Sequence, residues 1–148
     1  MAKITTDGLD ELIFALDEVA AMPVEVIDKM LVEKAKVIQA AQKKKAKEVF
    51  GQEDPSTRQL EHSITIGKAK GSGKAERWLT VYPRGVRREG KGRGKVTNSE
   101  VAFVHEVGAP RRKIKAKQWM RTANEEAAPE ATEAAFKVYD AWLKSKKL

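Results

Sequence analysis

The segment Gly67-Lys68-Ala69-Lys70-Gly71-Ser72-Gly73-Lys74-Ala75 offers glycine amides and lysines, the groups that a phosphate cradle needs. Its spacing fails that chemistry. Five residues rather than four separate Gly67 from Gly73, and Ala75 stands where a hydroxyl residue would ligate magnesium, so the segment reads as a flexible hairpin turn. The only two histidines are His62 and His105; His105-Glu106 lacks a second histidine four residues on, and the chain has no cysteine, so no zinc site is expected. No serine occupies a Gly-x-Ser-x-Gly elbow, although a catalytic set that meets only in space is invisible in a sequence. Both histidines read as surface or boundary residues. No catalytic residue, metal or cofactor is expected, and the chain reads as a protein other than an enzyme.

Charge offers a second kind of chemistry. Between Pro83 and Asn98 the chain is rich in glycine and carries Arg84, Arg87, Arg88, Lys91, Arg93 and Lys95 against the single acid Glu89. Cations spaced by glycine can follow a phosphate backbone, or they can form a solvated loop; without aromatic residues for base stacking, any contact there is electrostatic. The formal net charge of +8 gives the sign of a partner and not its identity. Among the tryptophans, Trp78 is expected in the core, whereas Trp119, set among Lys115, Lys117 and Arg121, is a candidate interface anchor.

These groups must be positioned by a small set of elements. After Asp7 as a helix cap, Leu9, Leu12, Ile13, Leu16, Val19 and Ala20 follow helical spacing. Pro23 stops that helix and starts a longer one to about Phe50, with an apolar stripe at Val24, Ile27, Leu31, Ala35 and Ile38, lysines on the opposite side, and Gly51 as its stop. Asp54-Pro55-Ser56 is a breaker, beyond which the strands Ser63 to Ile66 and Trp78 to Tyr82 are expected to pair antiparallel. Val101 to Val107 reads as a short strand or a helix. A last helix, about Lys117 to Lys146, presents Phe136, Tyr139, Trp142 and Leu143 on an apolar face, with a kink or a break near Pro129.

Together these predict an α+β fold: two N-terminal helices, a small antiparallel sheet with a long hairpin and a flexible basic loop, and a long, kinked C-terminal helix. A chain of 148 residues suits a single domain over residues 1–148, with the loop spanning 84–98. Apolar residues at 41% and charged residues at 34% fit a folded chain with solvated helix faces. The start of the chain lacks a signal-peptide core and no apolar run reaches membrane-spanning length, so folding in the cytoplasm, without a membrane, is expected.

Four segments carry a resemblance. They are Gly8-Leu9-Asp10-Glu11-Leu12 at the start of the first helix; Thr57-Arg58-Gln59-Leu60-Glu61-His62-Ser63-Ile64 at the junction into the sheet; Ala102-Phe103-Val104-His105-Glu106-Val107-Gly108; and Ala116-Lys117-Gln118-Trp119-Met120-Arg121-Thr122-Ala123 opening the last helix. In order and spacing they resemble the minor structural proteins of tailed bacteriophages that join head to tail or complete the tail at the neck. Arg58 and Gln118 depart from that pattern, which has glycine and proline there.

The resemblance implies a virion subunit, made in the host bacterial cytoplasm, that acts by assembling. Its expected partners are copies of itself in a ring, the connector or neck proteins and the tail-tube proteins, with contact to packaged DNA left open. The expected contact surfaces are Arg84, Arg87, Arg88, Lys91, Arg93 and Lys95 in the loop, and the Val104 to Met120 region with its neighbour, above all His105, Glu106, Trp119, Met120 and Arg121. The competing reading is a nonspecific basic nucleic-acid-binding protein.

Overall fold

The computed structural model describes residues 13, 16, 17, 20–51, 55–87 and 96–147. Most of the expected first helix, including Gly8 to Leu12, lies outside them. The described part of that helix (Ile13, Leu16, Asp17 and Ala20) is helical, but Ile13 and Leu16 of its apolar stripe are exposed.

Helix α1 (Val24–Phe50) follows Pro23, whose fixed backbone suits a helix start, and ends at Gly51, which takes a positive φ and donates its N–H to the Lys47 carbonyl. The breaker cluster is where expectation and structure part. Pro55 opens helix α2 (Pro55–Ser63) instead of a loop into the sheet, because a proline in the first turn forfeits no helical bond. Ser63, expected in the first strand, is the last residue of α2, with its hydroxyl donating to the Leu60 carbonyl at 2.8 Å.

Strands β1 (Ile64–Ile66) and β2 (Val81–Pro83) pair antiparallel as expected, with Thr65 opposite Tyr82. Beyond the ladder, the Arg84 N–H donates to the Ser63 carbonyl and the Gly67 N–H to the Thr80 carbonyl. That parity places Ile64 and Pro83 in a non-hydrogen-bonded pair, so the missing proline donor costs no ladder bond. The Ile64 carbonyl on the outer edge accepts instead from the Gln39 amide at 2.9 Å. The connection is tied to α1 by Arg77, whose guanidinium pairs side-on with both Asp28 oxygens. A second ladder joins β3 (Val86–Arg87) to β4 (Val96–Thr97), so the ends of the expected 84–98 loop are paired strands.

Residues 101–107, left between strand and helix by periodicity, are helical in α3 (Asn98–Val107). Thr97 decides it. Its hydroxyl accepts the Glu100 N–H at 3.2 Å while the Glu100 carboxylate accepts the Thr97 N–H at 2.8 Å, a reciprocal cap that fixes a helix start. A 3₁₀ turn (Pro110–Arg112) then leads to helix α4 (Trp119–Ser145).

Helices α1 and α4 run antiparallel. Ala46 packs in the same cluster as Trp119, and one turn back along α1 the Gln42 amide donates to Asn124 at 2.9 Å. Small side chains make the approach close: Ala35, Ala46, Ala123, Ala127 and Ala131 are all buried. The core centres on Ala46, Leu60, Ile64, Ala102 and Trp119, with Val49, Phe50, Val81, Val101 and Met120 packed around them. Two expectations about large residues fail. Trp78 is 51% exposed, with Lys70 Nζ 5.7 Å from its ring centre, because it sits in the outer part of the hairpin rather than in the ladder over α1. Phe136 is 56% exposed, since the buried side of α4 runs through Ala127, Ala131 and Trp142.

Of the kink or break expected near Pro129, the break is absent: α4 is a single helix through it. Proline removes the donor that the Glu125 carbonyl would receive, but both residues lie on the exposed side where water replaces that bond, while Ala127 and Ala131 hold the buried side. Pro129→Ala should therefore stabilise the protein, by up to about 3 kcal/mol on the helix-interior scale. Thermal melting followed by circular dichroism checks this, an unchanged or lowered Tm being the contrary result.

Candidate contact surface

The region expected to make contacts is built around the junction of α3 and α4. The last carbonyls of α3 and the first amides of α4 lack intrahelical partners, and the joining residues and one side chain of α3 supply them. Lys117 N–H donates to the His105 carbonyl at 2.9 Å, and Gln118 N–H to the Glu106 carbonyl at 3.1 Å. The side chain of Glu106 completes the exchange, its two oxygens accepting Met120 N–H at 2.8 Å and Arg121 N–H at 3.0 Å. Gln118, the residue before α4, has a left-handed backbone and makes no side-chain cap, so Glu106 supplies from another helix what a local cap would provide. A carboxylate also complements the positive end of the helix dipole.

Gly108 permits this return of the chain. Its φ is +83°, and a Cβ there would stand 2.7 Å from the Ala116 nitrogen. Beyond it, Ala109 and Ile114 exchange two backbone hydrogen bonds at 2.9 and 3.1 Å, closing a tight hairpin with Lys113 in a left-handed conformation at its turn. Phe50 joins α1 to the junction. Its ring lies edge-on to His105 at 5.0 Å and to Trp119 at 5.5 Å, with Lys117 Nζ 4.8 Å from its centre.

This geometry corrects one expected contact residue and shows how the others are held. Trp119 is 0% exposed, at the centre of the core, so it anchors the fold and not a partner; its cationic neighbours point elsewhere because it begins the buried side of α4. Met120 is half-buried against the same core, and the carboxylate of Glu106 is engaged by the helix terminus. His105 is half-buried against Phe50. Arg121 is exposed and pairs with Glu125 at 2.9 Å; the hydrogen bond it donates to that carboxylate, then the carboxylate's charge, raises the guanidinium above its ordinary pKa.

Of the basic loop, Arg88, Lys91, Arg93 and Lys95 lie outside the described residues. Arg84 packs its guanidinium over Tyr82 at 4.7 Å, and Arg87 Nε donates to Asn98 at 2.9 Å. Asn98 is the organiser that sequence reading missed. Buried at the start of α3, it donates through its side chain to the Arg84 carbonyl at 2.8 Å and through its backbone to the Gly85 carbonyl at 2.9 Å. Its only sequence signal is its place after Thr97 in the cap.

The phosphate-like segment is a hairpin connection, as its spacing implied. The Gly67 amide is engaged by Thr80, and Lys70 and Trp78 exchange backbone bonds at 2.8 and 2.9 Å. Among the described residues no cluster of three or more histidine, aspartate or glutamate side chains could hold a metal, and no helix is long and apolar enough to cross a membrane. An open groove of about 490 Å³ between α1 and α4 is lined by Val37, Ala40, Ala41 and Ala123 among lysines and glutamates. Its central charges are mutually engaged: Lys45 lies 3.1 Å from Glu126, and its ammonium is raised above the ordinary lysine value, first by that hydrogen bond. No family model, curated protein or solved structure matches the chain.

Two substitutions test the junction. Glu106→Ala should destabilise by about 1–2 kcal/mol, the usual range for a lost helix cap, and Glu106→Gln by less, because a neutral oxygen still accepts one bond. Gly108→Ala should cost on the order of 1–3 kcal/mol for its backbone alone, and more for the clash with Ala116. Urea unfolding reads both, and wild-type midpoints in either protein would remove the junction's structural role.

Proposed function

We propose that this chain is a structural subunit of a tailed phage or prophage that joins head to tail, or completes the tail at the neck, by assembling with copies of itself and with neighbouring structural proteins. The observation that carries the reading is where the resemblance-bearing residues lie. Leu60 and Ile64 of the second segment, Ala102 of the third, and Trp119 and Ala123 of the fourth are all buried, and Glu106 and Gly108 make the joint between α3 and α4. A pattern made of core and joint residues is a signature of a shared fold rather than of a shared reaction. The exposed apolar side chains left over suit a protein that works by being covered.

The competing reading, a nonspecific nucleic-acid binder, draws on the same net charge. It is weakened by the engagement of Arg84 on Tyr82 and of Arg87 with Asn98. Deleting the gene should yield separate heads and tails, or tails of aberrant length, by negative-stain electron microscopy. Deleting residues 87–95 alone should reduce the yield of joined particles. Wild-type particles from the gene deletion would overturn the reading; binding of duplex DNA that weakens steeply with salt, combined with intact particles, would favour the competitor.

A further inference from the structure

The stretch from Val107 to Arg121 contains no acidic residue, and it carries Arg111, Arg112, Lys113 and Lys115 on a hairpin closed by the Ala109–Ile114 bonds. All four are exposed, and none has an ion pair among the described residues. The nearby cations differ: Lys117 lies on the Phe50 ring and Arg121 pairs with Glu125. Four like charges on a short, backbone-braced turn repel one another, and nothing within the described fold relieves that repulsion.

Immediately before the hairpin, α3 exposes Phe103 at 64% and Val107 at 52%. They are one helical turn apart and so share a face, turned away from the side on which Ala102 enters the core. Exposed apolar side chains at the end of α3 thus lie just ahead of a cationic turn that has no ion pair among the described residues.

We infer that Phe103, Val107 and the Arg111 to Lys115 hairpin form a docking surface for an acidic protein segment that presents apolar side chains to α3. The inference rests on the joining-subunit reading only for which protein supplies that segment. Charge complementarity and the apolar pair together select this occupant. Duplex DNA would satisfy the cations but gain nothing from Phe103 and Val107. A second copy of the chain is the poorer match along α4, where three of the five acids are already paired: Glu125 with Arg121, Glu126 with Lys45 of α1 and Glu133 with Lys137. The hairpin is pre-organised by its two backbone bonds, so docking orders little of it and the cations steer the encounter.

The test titrates the full chain into a fluorescein-labelled acidic peptide with leucines at i, i+3 and i+4, beside the same peptide with serines for leucines, and a labelled duplex DNA. The acidic leucine peptide should bind, and Phe103→Ser with Val107→Ser, or Arg111→Glu with Arg112→Glu, should each weaken it by about ten-fold or more. All four positions are exposed, and unchanged circular dichroism melting of the variants separates lost docking from lost folding. Equal binding of the serine peptide would overturn the inference, as would no peptide binding, DNA binding that is tighter and indifferent to Phe103 and Val107, or self-association abolished by the Phe103 and Val107 changes. None of these results bears on particle joining in the gene deletion, so the two readings fail separately.

Discussion

The rest of the structure depends on one carboxylate placed at the start of a helix to which it does not belong. Helix α4 begins after a left-handed residue without a cap of its own, and Glu106 of α3 accepts the amides of Met120 and Arg121 in its place. The carbonyls of His105 and Glu106 accept the two amides before them. The end of α3 is thus satisfied by the residues that lead into α4 and the start of α4 by Glu106 of α3, and neither could end in this way if the other moved. Because Trp119 is the first residue of α4, fixing that terminus also fixes the largest side chain of the core against Ala46, Leu60 and Ile64. Gly108 is the geometric condition for the contact, and Phe50 extends it to α1.

What this arrangement leaves outside explains how the molecule would act. The cross-capped joint places its apolar and hydrogen-bonding groups inward and sets Phe103, Val107 and the cationic hairpin outward on a braced frame. Between α1 and α4, alanines bring the backbones close and leave a groove whose central lysine and glutamate are already paired. A braced frame with the proposed docking face would hold a neighbour in a set orientation, as the proposed joining role requires.

Much of the fold was legible in local pattern. The stripe of α1, its bounds at Pro23 and Gly51, and the antiparallel pairing across a glycine-rich hairpin follow from periodicity and turn chemistry. Pro55 misled because the same residue breaks a helix and begins one, and only the chain after it, with Leu60 entering the core, decides. Residues 101–107 were ambiguous because a short apolar run has no resolvable period; the deciding signal was Thr97 with Glu100, a capping pair just upstream. Trp119 was misplaced because neighbouring charge in sequence says little about burial when successive side chains point in different directions, and Trp78 because it sits in the outer part of the hairpin, beyond the ladder. The part played by Glu106 was hidden because its partners lie fourteen and fifteen residues away, joined through a hairpin. Its place in one of the segments that carry the resemblance was visible, but not its structural role.

Native-state amide hydrogen exchange, read by NMR at Lys117, Gln118, Met120 and Arg121, tests the central claim most directly. If the joint between α3 and α4 is what secures the core, these four amides should open only with the whole protein, with protection comparable to that of Ala35, buried near the middle of α1. Exchange as fast as that of the exposed hairpin at Gly73 would contradict the account, because α4 would then hold its place without the cap that Glu106 provides.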